Sequence, residues 1–114
     1  MNRLCGEALG QPGDYTYGPM LIPRPLVRFF DLVPEHLGWG WRFFLIAVAH
    51  QLRMRTELIT VGARCPQAQQ NEDDLPARAH RLRQLHQNVT GLANGWTCLL
   101  DQPIGESPAL IAAA

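Results

Sequence analysis

Apolar residues follow a helical period through residues 34–54. One set, spaced by three or four positions, lies along one side of a helix: Leu37, Trp41, Phe44, Val48 and Leu52. A second set lies on nearly the opposite side: Trp39, Phe43, Ile46 and His50. A helix that is apolar on two sides either passes through a core or shares one side with a partner. We expect its first turns to be irregular, because Gly38 and Gly40 weaken a helix.

A second helical pattern covers residues 74–92, with Gly91 expected to end the helix. Acidic and cap-competent residues precede it, and Pro76 lies in its first turn, where proline is tolerated. Its apolar residues share one side: Leu75, Ala79, Leu82, Leu85 and Val89. Its basic and amide residues lie mostly opposite: Arg81, Arg83, Gln84, Gln87 and Asn88. Since an amphipathic helix usually buries its apolar side, we expect Leu82, Leu85 and Val89 in the core and Arg81 and Gln84 exposed.

Turn signals surround these two helices. Gly91 is typical of a helix end, and Asn94-Gly95 is a strong hairpin signal, so residues 91–100 are expected to form a small β-hairpin. Residues 1–25 are expected to form a loose arm and an extended segment, because glycine and proline are frequent there. Residues 26–32 fit a short helix, and residues 101–114 fit a tail. The expected fold is a single, mostly α-helical domain over residues 26–100 with a small β-hairpin.

Composition adds limits to this picture. The 114 residues suffice for one hydrophobic core, and the formal net charge is zero, with all ten basic residues being arginine. The three cysteines form no CxxC pair and no signal peptide is recognisable, which favours a cytoplasmic protein. The longest apolar run, residues 43–49, is far shorter than the roughly 20 residues of a membrane span. We therefore expect no membrane span.

Residues typical of catalysis are scattered. His80 and His86 lie six positions apart on the second helix, which does not place them on one face as a pair of metal ligands. The only serine, Ser107, lies in the expected tail, and no phosphate-binding glycine loop follows a predicted strand. The sequence therefore predicts no catalytic residue, no metal site and no cofactor, and it does not favour an enzyme.

The order of the predicted elements over residues 34–100 resembles the winged helix-turn-helix family of DNA-binding domains. In that family the second motif helix lies in the major groove and is flanked by a hairpin, the wing. The resemblance implies that residues 74–89 are the recognition helix, residues 61–65 the remnant of the preceding helix, residues 91–100 the wing and residues 34–54 the supporting helix. It also implies that Arg78, Arg81 and Gln84 face bases, and that Arg83 and Gln87 contact phosphates.

Two classes of function follow from these observations. The first is a small non-catalytic DNA-binding protein that regulates transcription or replication and contacts double-stranded DNA through Arg78, Arg81, Arg83, Gln84 and Gln87. The second is a protein–protein interaction module or assembly subunit, paired with another protein or with its own copies, that uses the aromatic helix side Trp39, Phe43, Ile46 and His50. Both can hold in one molecule, because DNA-binding domains are commonly symmetric dimers.

Overall fold

The computed structural model describes residues 1–16, 19–59, 62 and 74–101. These residues form the α-helices α1 (Asn2–Leu9), α2 (Arg24–Val27), α3 (Trp41–Gln51) and α4 (Leu75–Cys98). Short 3₁₀ segments cover Arg28–Leu32, Glu35–Gly40 and Leu99–Asp101. No strand occurs in this part of the chain. None of the described helices combines the length and the apolar character needed to cross a membrane.

Helix α3 lies at the centre of the domain. All of its residues from Phe43 to Ala49 are buried, so the central residues of both predicted apolar sides are internal, whereas Trp39 and His50 of the second side are exposed. The α-helix begins at Trp41 and not near Pro34, because Gly38 has a non-helical conformation (φ 53°, ψ −126°) within the preceding 3₁₀ segment. Glycine adopts such a positive φ without a steric penalty. The expected irregularity of the first turns is therefore located at Gly38.

Two groups of buried side chains pack against α3. The first group connects α3 to α2 and the 3₁₀ segments: Leu26, Phe29, Leu37, Phe44, Leu45, Val48, Ala49 and Leu52. The second group connects α3 to the N-terminal residues and to α4: Cys5, Tyr15, Phe43, Ile46, Ala47 and Leu92. In this arrangement α3 needs no external partner to bury both of its apolar sides.

The N-terminal residues begin with a helix, whereas the sequence suggested a loose arm. Helix α1 inserts Cys5 into the second group, with none of that residue exposed, and ends at Gly10 in the left-handed conformation (φ 72°). The Asn2 side chain ties α1 to the next loop, since its Oδ1 accepts the Tyr15 N–H (2.8 Å) and its Nδ2 donates to Asp14 Oδ1 (3.0 Å). Gly10, one of the glycines that suggested a loose arm, is therefore the residue that ends α1.

Helix α4 replaces the predicted β-hairpin. It continues through Gly91 and Asn94-Gly95 to Cys98 and is followed by a 3₁₀ turn, so the expected hairpin over residues 91–100 is wrong. The wing of the winged-helix fold is therefore absent from these residues. The preceding motif helix, expected at residues 61–65, lies outside the described residues except for Gly62, which is not helical.

Close backbone packing explains why these glycines lie within a helix. A Cβ atom added to Gly91 would lie 2.8 Å from the Cα of Gly40, and one added to Gly95 would lie 2.8 Å from the Cα of Phe44. Both separations are shorter than carbon–carbon contacts allow. Gly91 and Gly95 are therefore contact residues that let α4 approach the Glu35–Gly40 segment and α3, and the chain does not turn at either position.

Two glutamine side chains fix α4 in this position. Gln51 of α3 donates from Nε2 to the carbonyl oxygen of Gly95 (2.8 Å) and to that of Ala47 (3.1 Å). Gln87 of α4 accepts the backbone N–H of Trp39 at its Oε1 (3.3 Å). One of these hydrogen bonds is made at Gly95 and the other lies about one turn before Gly91, so together they hold the helix against rotation about its own axis.

Replacing Gly91 with alanine should lower the free energy of unfolding by about 1–3 kcal/mol, because the added methyl group must displace the Gly40 backbone. The matched control is Gly6→Ala in α1, where the nearest atom to an added Cβ is 3.4 Å away. Helix propensity should make that change neutral, or stabilising by up to about 1 kcal/mol. Urea unfolding followed by circular dichroism measures both, and equal effects would contradict the close contact.

Candidate interaction surface

The amphipathic pattern of α4 is inverted in the structure. Its side towards α3 consists of Asn88, Gly91, Leu92 and Gly95, all of which are buried. Of the residues expected on the outer side, Arg83 is exposed, whereas Arg81, Gln84 and Gln87 have intermediate exposure and Asn88 is buried. Gly91 and Gly95 face α3, together with Asn88 and Leu92, because only a helix side with glycines can approach another backbone this closely.

Three of the apolar residues expected in the core consequently point outward. Leu82 is 66% exposed, and Leu85 and Val89 are each 40% exposed, so the expectation that these three are core residues is wrong. Ala93 and Trp96, which are also exposed, lie on the same side of α4 towards its C-terminus. We name these five residues the α4 stripe: Leu82, Leu85, Val89, Ala93 and Trp96. At 1.5 Å per residue the stripe is about 21 Å long.

His50 supports one end of the α4 stripe. Its ring is stacked on Trp96, with 5.3 Å between centroids and 28° between planes. This contact holds the indole against the domain and leaves 37% of Trp96 exposed. His50, which the sequence placed in an aromatic interface, is itself exposed and therefore lies at the border of the α4 stripe.

The remainder of the predicted aromatic interface does not form one surface. Phe43 and Ile46 belong to the core and are 1% and 7% exposed. Trp39 is 52% exposed and lies beside Gln87, which accepts its backbone N–H. His50 lies beside Trp96. Gln87 and Trp96 lie nine positions apart, which places them on opposite sides of a helix at about 100° per residue.

The predicted DNA-binding residues are also distributed around α4. Arg78 and Arg83 are exposed, but five positions along a helix place them about 140° apart. Arg81 and Gln84 are partly buried on the side towards the core. Gln87 packs against Gly38 and binds Trp39, so it contributes to the fold. The structure therefore does not bring these five side chains to a single face.

Two concavities and two groups with raised pKa values complete the description of these residues. A cleft of about 150 Å³ next to Tyr15 and His50 is smaller than the roughly 300 Å³ at which ligand pockets begin, and a larger depression of about 610 Å³ beside Asn2, Arg3 and Glu7 is broadly open to solvent. Burial raises the pKa of the Cys5 thiol to about 11, and it also raises the pKa of Tyr15, so neither group is an activated nucleophile. The described residues contain no group of three metal-ligating side chains.

No protein-family model, no curated protein and no solved structure matches this chain. The candidate surface is therefore defined by the geometry of this chain alone.

Ala93 and Trp96 are the surface residues that the sequence pattern missed, because they lie in the segment expected to form a hairpin. One signal for their true position is the spacing Gly91-x-x-x-Gly95, which puts two glycines on one side of a helix and is typical of close helix packing. If Gly91 and Gly95 face the domain, the leucines about a third of a turn away must lie outside.

Two leucines of α4 test this orientation. Leu92→Ala should lower the free energy of unfolding by about 2–5 kcal/mol, because Leu92 is only 7% exposed and its truncation leaves a cavity. Leu82→Ala should change it by less than about 0.5 kcal/mol in dilute solution, because Leu82 already contacts water. Urea unfolding at low protein concentration measures both, and a larger loss at Leu82 than at Leu92 would show that the helix is rotated the other way.

Proposed function

We propose that this protein is a non-catalytic protein-interaction module that binds a helical partner through the α4 stripe. The observation that carries the proposal is the inverted packing of α4, which leaves Leu82, Leu85 and Val89 each at least 40% exposed. The proposal keeps the class of function expected for an interaction module and moves its surface from α3 to α4.

A line of exposed apolar side chains favours a partner. Removing apolar surface from water stabilises a complex by roughly 25 cal/mol per Å². Contiguous apolar surface of this kind is characteristic of interaction sites, whereas single exposed leucines are common on any protein. Because the α4 stripe repeats every three or four residues, its best complement is a second helix with the same period.

The ends of the α4 stripe also suit an interface. Trp96 is a residue type that often dominates binding energy, and its stacking on His50 restrains it before a partner arrives. A restrained side chain loses less conformational entropy on binding. Polar His86 and Arg83 lie outside the α4 stripe and are exposed, as residues at the rim of an interface are.

Site-specific photocrosslinking tests the proposal. A benzophenone amino acid at Leu85 should form covalent adducts with a protein partner when the full chain is irradiated, either purified or in an extract of its source cells. The same group at Arg83, which points about 160° away on the helix, should form few adducts. Mass spectrometry identifies the attached peptide.

Three results of this experiment have different meanings. Attachment to another polypeptide, whether a second copy or a different protein, supports the interaction module. Absence of adducts above the Arg83 control contradicts it. Attachment of the Leu85 probe to residues 102–114 of its own chain would show that the chain covers the α4 stripe itself, and this also contradicts the proposal.

Binding of duplex DNA is a second candidate function, favoured by the exposure of Arg78 and Arg83 on the N-terminal half of α4. Their separation of about 140° around the helix suits contacts to phosphates on both walls of a major groove.

Duplex affinity should then fall with added salt, and replacing both Arg78 and Arg83 with glutamine should reduce the slope of log affinity against log salt by about 0.9 for each lost phosphate contact. Arg24→Gln, outside α4, is the control. Absence of duplex binding at low salt by the folded protein would contradict this function.

A further inference from the structure

A histidine and a methionine meet at one small cleft beside the end of α3. His50 is the penultimate residue of α3, and Met54 follows four positions later. Both side chains line the cleft of about 150 Å³ that Tyr15 also borders. An imidazole nitrogen and a thioether sulfur are neutral donors that soft metal ions accept. A cleft too small for most organic ligands still has room for one ion and a few water molecules.

The backbone holds Met54 close to the last turn of α3. The Arg53 N–H donates to the carbonyl oxygen of His50 (3.0 Å). The Met54 N–H donates to the carbonyl oxygen of Ala49 (2.9 Å). This pair of hydrogen bonds is a Schellman motif, which turns the chain back over the end of the helix. The side chain of Met54 is therefore returned to the cleft that His50 lines.

Arg53 has an unfavourable conformation at this turn. It adopts the left-handed backbone geometry that the Schellman motif needs (φ 56°), although glycine is the residue that usually does so. A non-glycine residue in this conformation costs energy and persists only where the surrounding structure requires it. Such residues are frequent at binding sites, where they fix the direction of a neighbouring side chain. Here the neighbour is Met54.

The ring of His50 is restrained without the use of its nitrogen atoms. Its face is stacked on Trp96, with 5.3 Å between centroids. The lone pair with which an imidazole binds a metal lies in the plane of the ring, so stacking on the face leaves it available. Within the described part of the chain, neither ring nitrogen of His50 forms a hydrogen bond. A ring that is held in place with a free nitrogen is a prearranged ligand.

We propose that His50 and Met54 bind one soft monovalent metal ion of the Cu(I) type. The described residues that line the cleft contribute no carboxylate and no thiol. Neutral ligands leave the charge of an ion uncompensated, which disfavours divalent ions. Magnesium and calcium require oxygen ligands, and structural zinc is held by four ligands, most often thiolates and imidazoles. This site goes beyond the proposed function, because binding of a helical partner by the α4 stripe does not depend on it.

Met54 also packs against the first buried group, in which it is partly buried. Leucine fills nearly the same volume as methionine, so Met54→Leu should preserve this packing. The thioether sulfur is the feature that leucine lacks. An experiment that compares the two side chains therefore separates metal binding from a purely structural role.

Methyl NMR during a titration with Ag(I) tests the site. Ag(I) has the charge and the soft-ligand preference of Cu(I) and needs no reductant. The full chain carries ¹³C-methyl methionine together with Cys65→Ser and Cys98→Ser, because thiolates compete for soft ions. N-acetylmethionine in the same tube is a thioether without a second ligand. Any ion taken up by buried Cys5 lowers the free Ag(I) concentration equally for both thioethers.

The Met54 methyl signal, identified by its loss in Met54→Leu, should shift before that of N-acetylmethionine. We expect an affinity ratio of about tenfold or more, because two ligands held together act on one ion. His50→Gln should abolish this ratio, since it removes the second ligand. His86→Gln, at an exposed histidine of α4, is the matched control and should leave the ratio unchanged. Circular dichroism confirms that each variant is folded.

Three results would overturn the proposal. The first is a Met54 signal that shifts together with N-acetylmethionine, which needs no variant to be observed. The second is a Met54 advantage that survives His50→Gln in the folded protein. The third is a shift of the Met54 methyl signal by Zn(II) at the same concentrations as by Ag(I), because the ligand set would then not select a soft monovalent ion.

Discussion

The backbone contact between α4 and the segment that leads into α3 is the constraint on which this structure depends. At Gly91 and Gly95 the helix lies so close to the backbones of Gly40 and Phe44 that no side chain fits between them. A contact of this kind specifies one rotational setting of α4, because the other sides of the helix carry side chains that would hold it away. The hydrogen bonds of Gln51 and Gln87 are possible only in that setting.

Because of this constraint, the amphipathic pattern of α4 does not decide which side of the helix is buried. Most of the buried apolar surface comes from α3 and from the segments packed around it. Helix α4 contributes Leu92 and partly buried Cys98 to the core, and Leu99 follows in the 3₁₀ turn; α4 is otherwise held by backbone proximity. The described part of the fold therefore buries Leu92 but leaves Leu82 and Leu85 exposed.

Periodicity predicted the parts of the fold in which local pattern and tertiary packing agree. The two apolar sides of α3 are both present, and α4 begins immediately after Asp74, next to the expected cap. The errors lie at Gly91 and Asn94-Gly95, because a glycine can end a helix or admit a neighbouring backbone. The helix continues through Gly91 here because the backbone of Gly40, some fifty residues earlier, packs directly against it.

The candidate surface shows the same limit. The pattern correctly placed Leu82, Leu85 and Val89 on a common side of one helix, but amphipathicity alone does not determine which side a small domain buries. Ala93 and Trp96 could not be assigned to that side while their segment was expected to form strands. What binds the exposed side of α4 depends on the molecule that lies opposite this helix and on the direction in which that molecule runs.

Helix α4 also determines when the domain can form during synthesis. Leu92 completes one buried group and Leu99 packs against the other. Both apolar sides of α3 therefore stay partly exposed to water until Leu92 and Leu99 have left the ribosome. Contacts between residues as distant as Gly40 and Gly91 add a loop-closure cost to this delay. The nascent chain therefore exposes part of the most hydrophobic of the described helices until α4 is available, which is a period when binding by chaperones matters.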